Sequence, residues 1–301
     1  MTTLTPASTT IGFIGIGNMG TPMAARLLAA GWNVMVHDIA REQVERFTRE
    51  HGGAAAASLE ALGRACNVII TMLPDGHVVR RVLLGDNGGD CVVNGLAPGA
   101  TIIDMSSSSP VGTRELGPVL AARGHHLLDA PVSGGVRGAV AGTLAIMVGG
   151  DAERARALDD LLAPMGRRFY VGTLGAGHAA KVLNNYVSAA GLAAASEALH
   201  IADRFGIEKS VILDVINAST GRNNSTENKF AQFILNEKFN SGFALGLMAK
   251  DLTLAMEVAA ACGVPADLGQ ACLKLWKAAE AGIGGAADHT AIARYIDDQK
   301  K

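Results

Sequence analysis

Lys181 and Asn185 stand four residues apart in Gly175-Ala-Gly177-His178-Ala-Ala-Lys181-Val-Leu-Asn184-Asn185. On a helix they share one face and can meet one ligand. A lysine amine partly withdrawn from water at a domain junction has its pKa lowered toward the range where it can take or give a proton. A helix lysine taken alone is ordinarily a solvated surface group; the flanking Gly-x-Gly and the tandem asparagines set this one apart. Asp129-Ala-Pro131-Val-Ser133-Gly134-Gly135 offers different chemistry. A strand running into Ser-Gly-Gly presents a hydroxyl and approachable backbone N–H groups, a receptor for a carboxylate or an ordinary glycine-rich turn. Leu73-Pro74 and Ser106–Ser109-Pro110 fall at two predicted strand carboxyl ends, the edge where doubly wound sheets bind ligands. Ser109-Pro110 also reads as a helix N-cap followed by proline at the first helical position, with Ser106 and Ser107 before the cap. Phe243 and Lys250, the latter in Met248-Ala-Lys250-Asp251-Leu, are two helical turns apart. That spacing lets both reach one cleft, unless Lys250-Asp251 is a solvated pair.

Thr10–Asp38 indicates what such groups would work on. An apolar strand, Ile11–Ile14, runs into Gly15-Ile16-Gly17-Asn18-Met19-Gly20; a helical pattern and a second strand ending at Asp38 follow. Gly15 permits the tight turn, Gly17 lets backbone approach a pyrophosphate, and Gly20 allows close helix–strand packing. The helix start then directs its unsatisfied N–H groups at the phosphates. Asp38 lies 18 residues after Gly20, where a carboxylate accepts hydrogen bonds from the adenosine ribose. It would repel a 2′-phosphate and so favours NAD, although Arg41 could partly offset that and admit NADP. A loop aspartate capping the next helix is the plain alternative. Oxidising an alcohol with a nicotinamide needs a base for the hydroxyl proton while hydride leaves carbon, and Lys181 suits that task.

The elements that must position these residues change character midway. Val34–His37, Asn67–Leu73, Thr101–Met105, His126–Asp129, Ala145–Val148 and Phe169–Val171 read as short strands. Helical stretches near 21–30, 41–50, 58–65, 77–84, 111–123 and 152–164 separate them, which implies a mainly parallel, doubly wound Rossmann-type α/β sheet. From His178 to Phe205 the chain reads as one proline-free helix of roughly 40 Å, a connector between domains. Everything after it reads helical: 208–218, 226–236, 244–262, 266–281 and 288–298. The expected division is a nucleotide domain over 1–173 and an all-α substrate and dimerisation domain over 174–301.

Composition narrows the partners. At 301 residues, two domains with full cores are expected. A net charge of −2 with interspersed signs gives no case for nucleic acid or an anionic membrane. Arg80-Arg81, Arg167-Arg168 and Lys300-Lys301 read as solvated helix ends. Cys66, Cys91, Cys262 and Cys272 form no CxxC, the histidines no HExxH, so no metal is expected. Buried free thiols in a reducing cytoplasm are the simplest reading. No apolar run reaches the roughly 18 residues of a bilayer span. MTTLTPASTT lacks the parts of a secretory signal and reads as a short lead-in.

Taken together, GFIGIGNMGTPMA, TMLPDG, DMSSSSP, DAPVSGG with GTLAIMVGG, GAGHAAKVLNN and GFALGLMAKDL resemble the β-hydroxyacid dehydrogenase family, in family order over about residues 11–255. The family includes 3-hydroxyisobutyrate dehydrogenase and tartronate semialdehyde reductase. The resemblance implies a Rossmann-type domain joined by a long helix to an all-α domain, in homodimers or homotetramers. It implies NAD(P)-dependent interconversion of a short β-hydroxy acid and its aldehyde or keto form. Lys181 falls on the family's catalytic lysine and Asn185 on its orienting asparagine. Ser133, Gly134 and Gly135 match the segment that holds the substrate carboxylate. Gly15, Ile16, Gly17, Asn18, Met19, Gly20, Asp38, Leu73, Pro74 and Ser107 fall on cofactor-contacting positions, and Lys250 on a lysine near the nicotinamide. Phe243 and Asp251 match positions near the closed site. Ser107 departs from the family's usual threonine but keeps the hydroxyl.

The leading expectation is therefore a cytoplasmic NAD-dependent dehydrogenase of small β-hydroxy acids. Two alternatives stand beside it: an imine reductase of the same architecture, which typically lacks the lysine at 181, and a catalytically silent NAD(H) sensor. In Gly221–Phe230, Arg222 or Asn224 either binds a second polar group of the substrate or belongs to a solvated connector.

Overall fold

The computed structural model describes residues 4–86 and 88–298, so part of the expected lead-in and the Lys300-Lys301 pair lie outside the described residues. The chain divides into two compact units, Met1–Lys181 and Val182–Lys301. The first unit alternates strand and helix. Its strands are β1 (Thr10–Ile14), β2 (Asn33–His37), β3 (Ala54–Ala55), β4 (Val68–Thr71), β5 (Thr101–Asp104), β6 (His126–Asp129), β7 (Val132–Ser133), β8 (Leu144–Gly149) and β9 (Gly166–Gly172). Between them lie α1 (Gly20–Ala29), α2 (Arg41–His51), α3 (Leu59–Ala65), α4 (Gly76–Leu84), α5 (Pro110–Ala121), α6 (Gly135–Ala141), α7 (Ala152–Ala157) and α8 (Asp159–Leu162).

The strands form a nine-stranded sheet in the order β3-β2-β1-β4-β5-β6-β8-β7, with β9 against β8. The β3–β6 side is parallel throughout, while β8 runs antiparallel to β6 and β7. Strand periodicity splits the apolar side chains between two cores, one per sheet face. Ile11, Phe13, Val68, Ile70, Ile103 and Leu128 pack on one side; Ile14, Ile69, Ile102 and Leu127 pack on the other. Being buried on both faces explains why these strands read as continuous apolar runs.

The helical unit begins within α9 (Ala176–Phe205), the long helix, and continues through α10 (Lys209–Asn217), α11 (Asn224–Asn228), α12 (Leu245–Ala261), α13 (Asp267–Ile283) and α14 (Ile292–Asp298). Its core gathers around Trp276, which is fully buried, with Leu192, Phe230, Leu245 and Leu252.

Several local expectations are corrected. The helix expected over 226–236 is α11 followed by a π turn, Phe230–Ile234, and that over 152–164 is broken at Leu158. Phe243 precedes α12, in a segment where Ala244 bridges Asp288. Arg167 and Arg168 lie on β9, Arg168 paired with Asp159, so they end no helix. Cys262 is exposed, whereas Cys66, Cys91 and Cys272 are buried.

Candidate active site

Parallel strands bring their carboxyl ends to one edge, and the sequence-predicted cofactor residues follow from that register. Gly15 leaves β1 at φ +93°, and its amide bonds His37 O at 2.9 Å. Gly17 and Asn18 are exposed, and space is open for 4 Å around the position of a Cβ on Gly17. A Cβ on Gly20, in contrast, would overlap the Gly15 carbonyl. A Cβ on Gly15 would likewise overlap the Met72 carbonyl, so the turn has two glycines demanded by packing and one facing empty space, as a backbone cradle for a dinucleotide requires. Met19 is the residue before α1 and offers no side-chain cap; behind it Thr21 N–H bonds the Gly17 carbonyl at 3.0 Å and Pro22 carries no N–H, so only the amides ahead of Thr21 are left to meet a ligand at this helix start.

Asp38, just past β2, accepts the Ile16 N–H at 2.9 Å with one oxygen and the Ala40 N–H at 2.9 Å with the other. It therefore braces the glycine turn and shapes the entry to α2, and each oxygen keeps a lone pair for a ribose hydroxyl. The loops after β4 and β5 are sewn together. Leu73 N–H donates to Ser106 Oγ at 2.9 Å, and Thr71 Oγ1 to Asp104 Oδ1 at 2.9 Å. Ser108 Oγ donates to Asp104 Oδ2 at 2.6 Å. Pro74 follows in that first loop, and Ser107 is half-buried in the second. Ser109 accepts from Gly112 N–H with Pro110 opening α5, so the N-cap reading holds.

Ser133 ends β7, paired with Ala145. Gly134 and Gly135 continue at φ +132° and +61°, both exposed, in conformations that favour glycine.

Lys181 lies half-buried in the second turn of α9, and sequence reasoning missed what fixes that turn. Asp129, wholly buried at the end of β6, accepts the Gly175 N–H at 2.8 Å and the His178 N–H at 2.7 Å. The His178 ring, also wholly buried, donates from Nε2 to the Ser106 carbonyl at 3.1 Å. Its Nδ1 meets the Thr113 hydroxyl at 2.9 Å. Asp129 and His178 were visible in DAPVSGG and GAGHAAK, but nothing local joins residues 49 apart.

In the helical unit, Asn185 is buried and donates from Nδ2 to Asp251 Oδ2 at 2.6 Å, while its Oδ1 accepts from Asn184. The amide is thereby held at both ends, one turn past Lys181 along α9. Lys250 neighbours Asp251 on α12. Phe243 packs edge-on to His289, ring centroids 5.5 Å apart, and its carbonyl accepts the His289 N–H. Asp288 holds that segment through Ser241, Gly242 and Thr290. Burial opposes its charge, but the bonds from His289, Thr290 and Gly242 prevail and keep its carboxyl well below the usual range. Among the described residues no His, Cys, Asp and Glu side chains cluster as a metal site, and no helix is long and apolar enough to cross a membrane.

A glycine turn between a parallel strand and a helix, an acidic residue closing the next strand, and ligand-facing loops along one sheet edge define a dinucleotide-binding α/β protein. Residues 10–175 match the NAD binding domain of 6-phosphogluconate dehydrogenase, and residues 175–296 the NAD-binding domain of NADP-dependent 3-hydroxyisobutyrate dehydrogenase. The chain is 35% identical to 2-(hydroxymethyl)glutarate dehydrogenase of Eubacterium barkeri, covering 94% of this chain and 93% of that one. It is 41% identical to a probable 3-hydroxyisobutyrate dehydrogenase of Mycobacterium tuberculosis, covering 87% and 89%. The structure of a Mycobacterium tuberculosis 3-hydroxyisobutyrate dehydrogenase with L-serine superposes with a TM-score of 0.87 at 37% identity, covering 96% and 99%. The chain belongs to the β-hydroxyacid dehydrogenase family.

Proposed function

We propose that this chain is an NAD(P)-dependent dehydrogenase that interconverts a small β-hydroxy acid and its semialdehyde or keto acid, with NAD preferred. The observation that carries the reading is Lys181 on a helix anchored to the ligand edge of the sheet, with Asn185 held by Asp251 one turn further on. Gly15 to Gly20, with Leu73, Pro74 and Ser107, hold the dinucleotide, and Lys250 serves its nicotinamide end; Asp38 favours NAD. Bound NAD(P) supplies the hydride acceptor. Ser133, Gly134 and Gly135 receive the substrate carboxylate. The Lys181 amine takes the hydroxyl proton in oxidation and returns it in reduction, and Asn185 orients both lysine and substrate. Phe243 and Asp251 belong to the substrate-binding set. The relatives' printed activities, on 2-(hydroxymethyl)glutarate and 3-hydroxyisobutyrate, support this substrate class.

The enzyme works in the cytoplasm as a homodimer or homotetramer. Support comes from unpartnered thiols and from exposed Leu183, Val187, Ile201 and Phe205 on α9 and Val211 and Val215 on α10, a face suited to a second copy.

Initial rates followed by nicotinamide absorbance, with NAD and NADP across a panel of hydroxy acids, test the proposal. One acid turned over with NAD, and a loss of about 10²–10⁴ in kcat for Lys181→Ala with NADH binding retained, is the expected result. Silence across the panel, or lost NADH binding in the variant, overturns it.

A further inference from the structure

The helical unit holds a cation that the proposed chemistry leaves unused. Lys229 follows α11 and reaches α9, where its ammonium donates to Ser188 Oγ at 3.3 Å. Among the described residues it has no carboxylate within ion-pair distance. Asp288 attracts it at longer range, but Ser241, Gly242 and Thr290 already occupy that carboxylate. Burial pushes the amine below the ordinary lysine value, so the surroundings strip its water without supplying an adjacent counter-charge. An ammonium carries three donors, and one is engaged. One turn earlier on the same face of α11, Ser225 is buried with its hydroxyl unpartnered. A partly desolvated cation and an orphaned hydroxyl one helical turn apart are unfavourable alone and become favourable when an acceptor-rich anion enters.

Ser188 tells where that anion would lie. It stands three residues after Asn185 and seven after Lys181 on α9, so the three side chains share one helix face. Ser188 is then about 10 Å further along the axis than Lys181. Arg222 and Asn224 differ from Lys229 in their surroundings: Arg222 is exposed and pairs with Glu227 at 3.6 Å, and Asn224 is exposed at the start of α11. The π turn directly after Lys229 interrupts regular helix at this point, as such turns often do at ligand sites.

We propose that Lys229, Ser188 and Ser225 form a subsite for a second acidic group, so that the substrate is a β-hydroxy acid bearing a further carboxylate or sulfonate beyond the carbinol. This rests on the roles given above to Lys181 and Asn185.

The test compares wild type with Lys229→Met, which keeps the apolar stem, on 3-hydroxyisobutyrate, 2-(hydroxymethyl)glutarate and a sulfonate analogue of the latter. Thermal melting checks that the variant folds. The expected result is a fall in kcat/KM of about 10- to 100-fold on the doubly acidic substrate the wild type prefers, mainly through KM. The mono-acid should change less than about threefold, and Lys229→Arg should restore part of the loss. The wild-type preference between the two doubly acidic compounds identifies the group bound. Equal losses on all substrates, or none on the doubly acidic ones, overturn the subsite. If wild type turns over nothing, the dehydrogenase reading fails separately. Calorimetry with unreactive glutarate against butyrate then decides: glutarate binding lost in Lys229→Met supports the subsite, and absent glutarate binding overturns it.

Discussion

Asp129 accepts the backbone N–H of His178 at 2.7 Å, so a carboxylate at the end of one strand anchors the helix turn just before Lys181. Both residues are wholly buried. Asp129→Asn converts one acceptor oxygen into a donor that faces the N–H of either Gly175 or His178, each of which now bonds a different oxygen. The expected cost is about 2–3 kcal/mol of stability, read by urea unfolding. Turnover should fall more in kcat than in KM, because the misplaced group is the lysine.

Two glycines of the turn should answer differently to the same methyl group. Gly17→Ala meets nothing within 4 Å, so the variant should melt like wild type while losing dinucleotide affinity, measured by NADH fluorescence titration. Gly20→Ala collides with the Gly15 carbonyl and should lower the melting temperature as well.

Asn185 is held by Asp251, and Asp251→Ala leaves its buried amide without that acceptor. We expect a kcat reduction of about 10-fold or more with little change in NADH affinity, since the loss is of orientation. Stopped-flow hydride transfer would separate this from slowed product release.

Asp288 links pH to the segment carrying Phe243. Its folded pKa is depressed, so its contribution is fully present above the ordinary carboxylate value of about 4 and is lost as pH falls below it. Asp288→Asn should therefore be less stable at pH 7 and show a shallower stability loss under acid. Chemical denaturation at a series of pH values checks both signs.

Burial raises the thiols of Cys66 and Cys272 to about 11, whereas Cys262 is exposed. A thiol reagent at pH 7.5 should label Cys262 first and reach Cys66 and Cys272 only in denaturant, counted by mass spectrometry.

Much of the fold was legible because parallel strands buried on both faces leave unbroken apolar runs, and because Gly15-x-Gly17-x-x-Gly20 marks a turn that only glycine fits at Gly15 and Gly20. β7 was not legible: two residues between Pro131 and Gly134 carry no periodicity. The π turn at Phe230–Ile234 was hidden since its residues satisfy an α-helical pattern equally well. Of the candidate site, the common helix that carries Lys181 and Asn185 was readable from their four-residue spacing. Asp129, His178 and Lys229 were not, because their partners, Gly175 and Ser188 among them, lie tens of residues away. Polarity in sequence did not distinguish Arg222 and Asn224, which are exposed, from Lys229, which is desolvated.

β8 and the first turn of α9 meet through glycines: a Cβ on Gly149 would lie 2.8 Å from the Gly177 amide, and one on Gly177 would overlap the Met147 carbonyl. Neither position can vary without parting strand from helix. Lys229, by contrast, lies between a short helix and the π turn Phe230–Ile234, where the winding is already irregular. Descendants of this chain that acquire new substrates should therefore differ around 222–235 and keep the Gly149–Gly177 seam intact, one end of α9 inherited unchanged and its surroundings further along free to diversify.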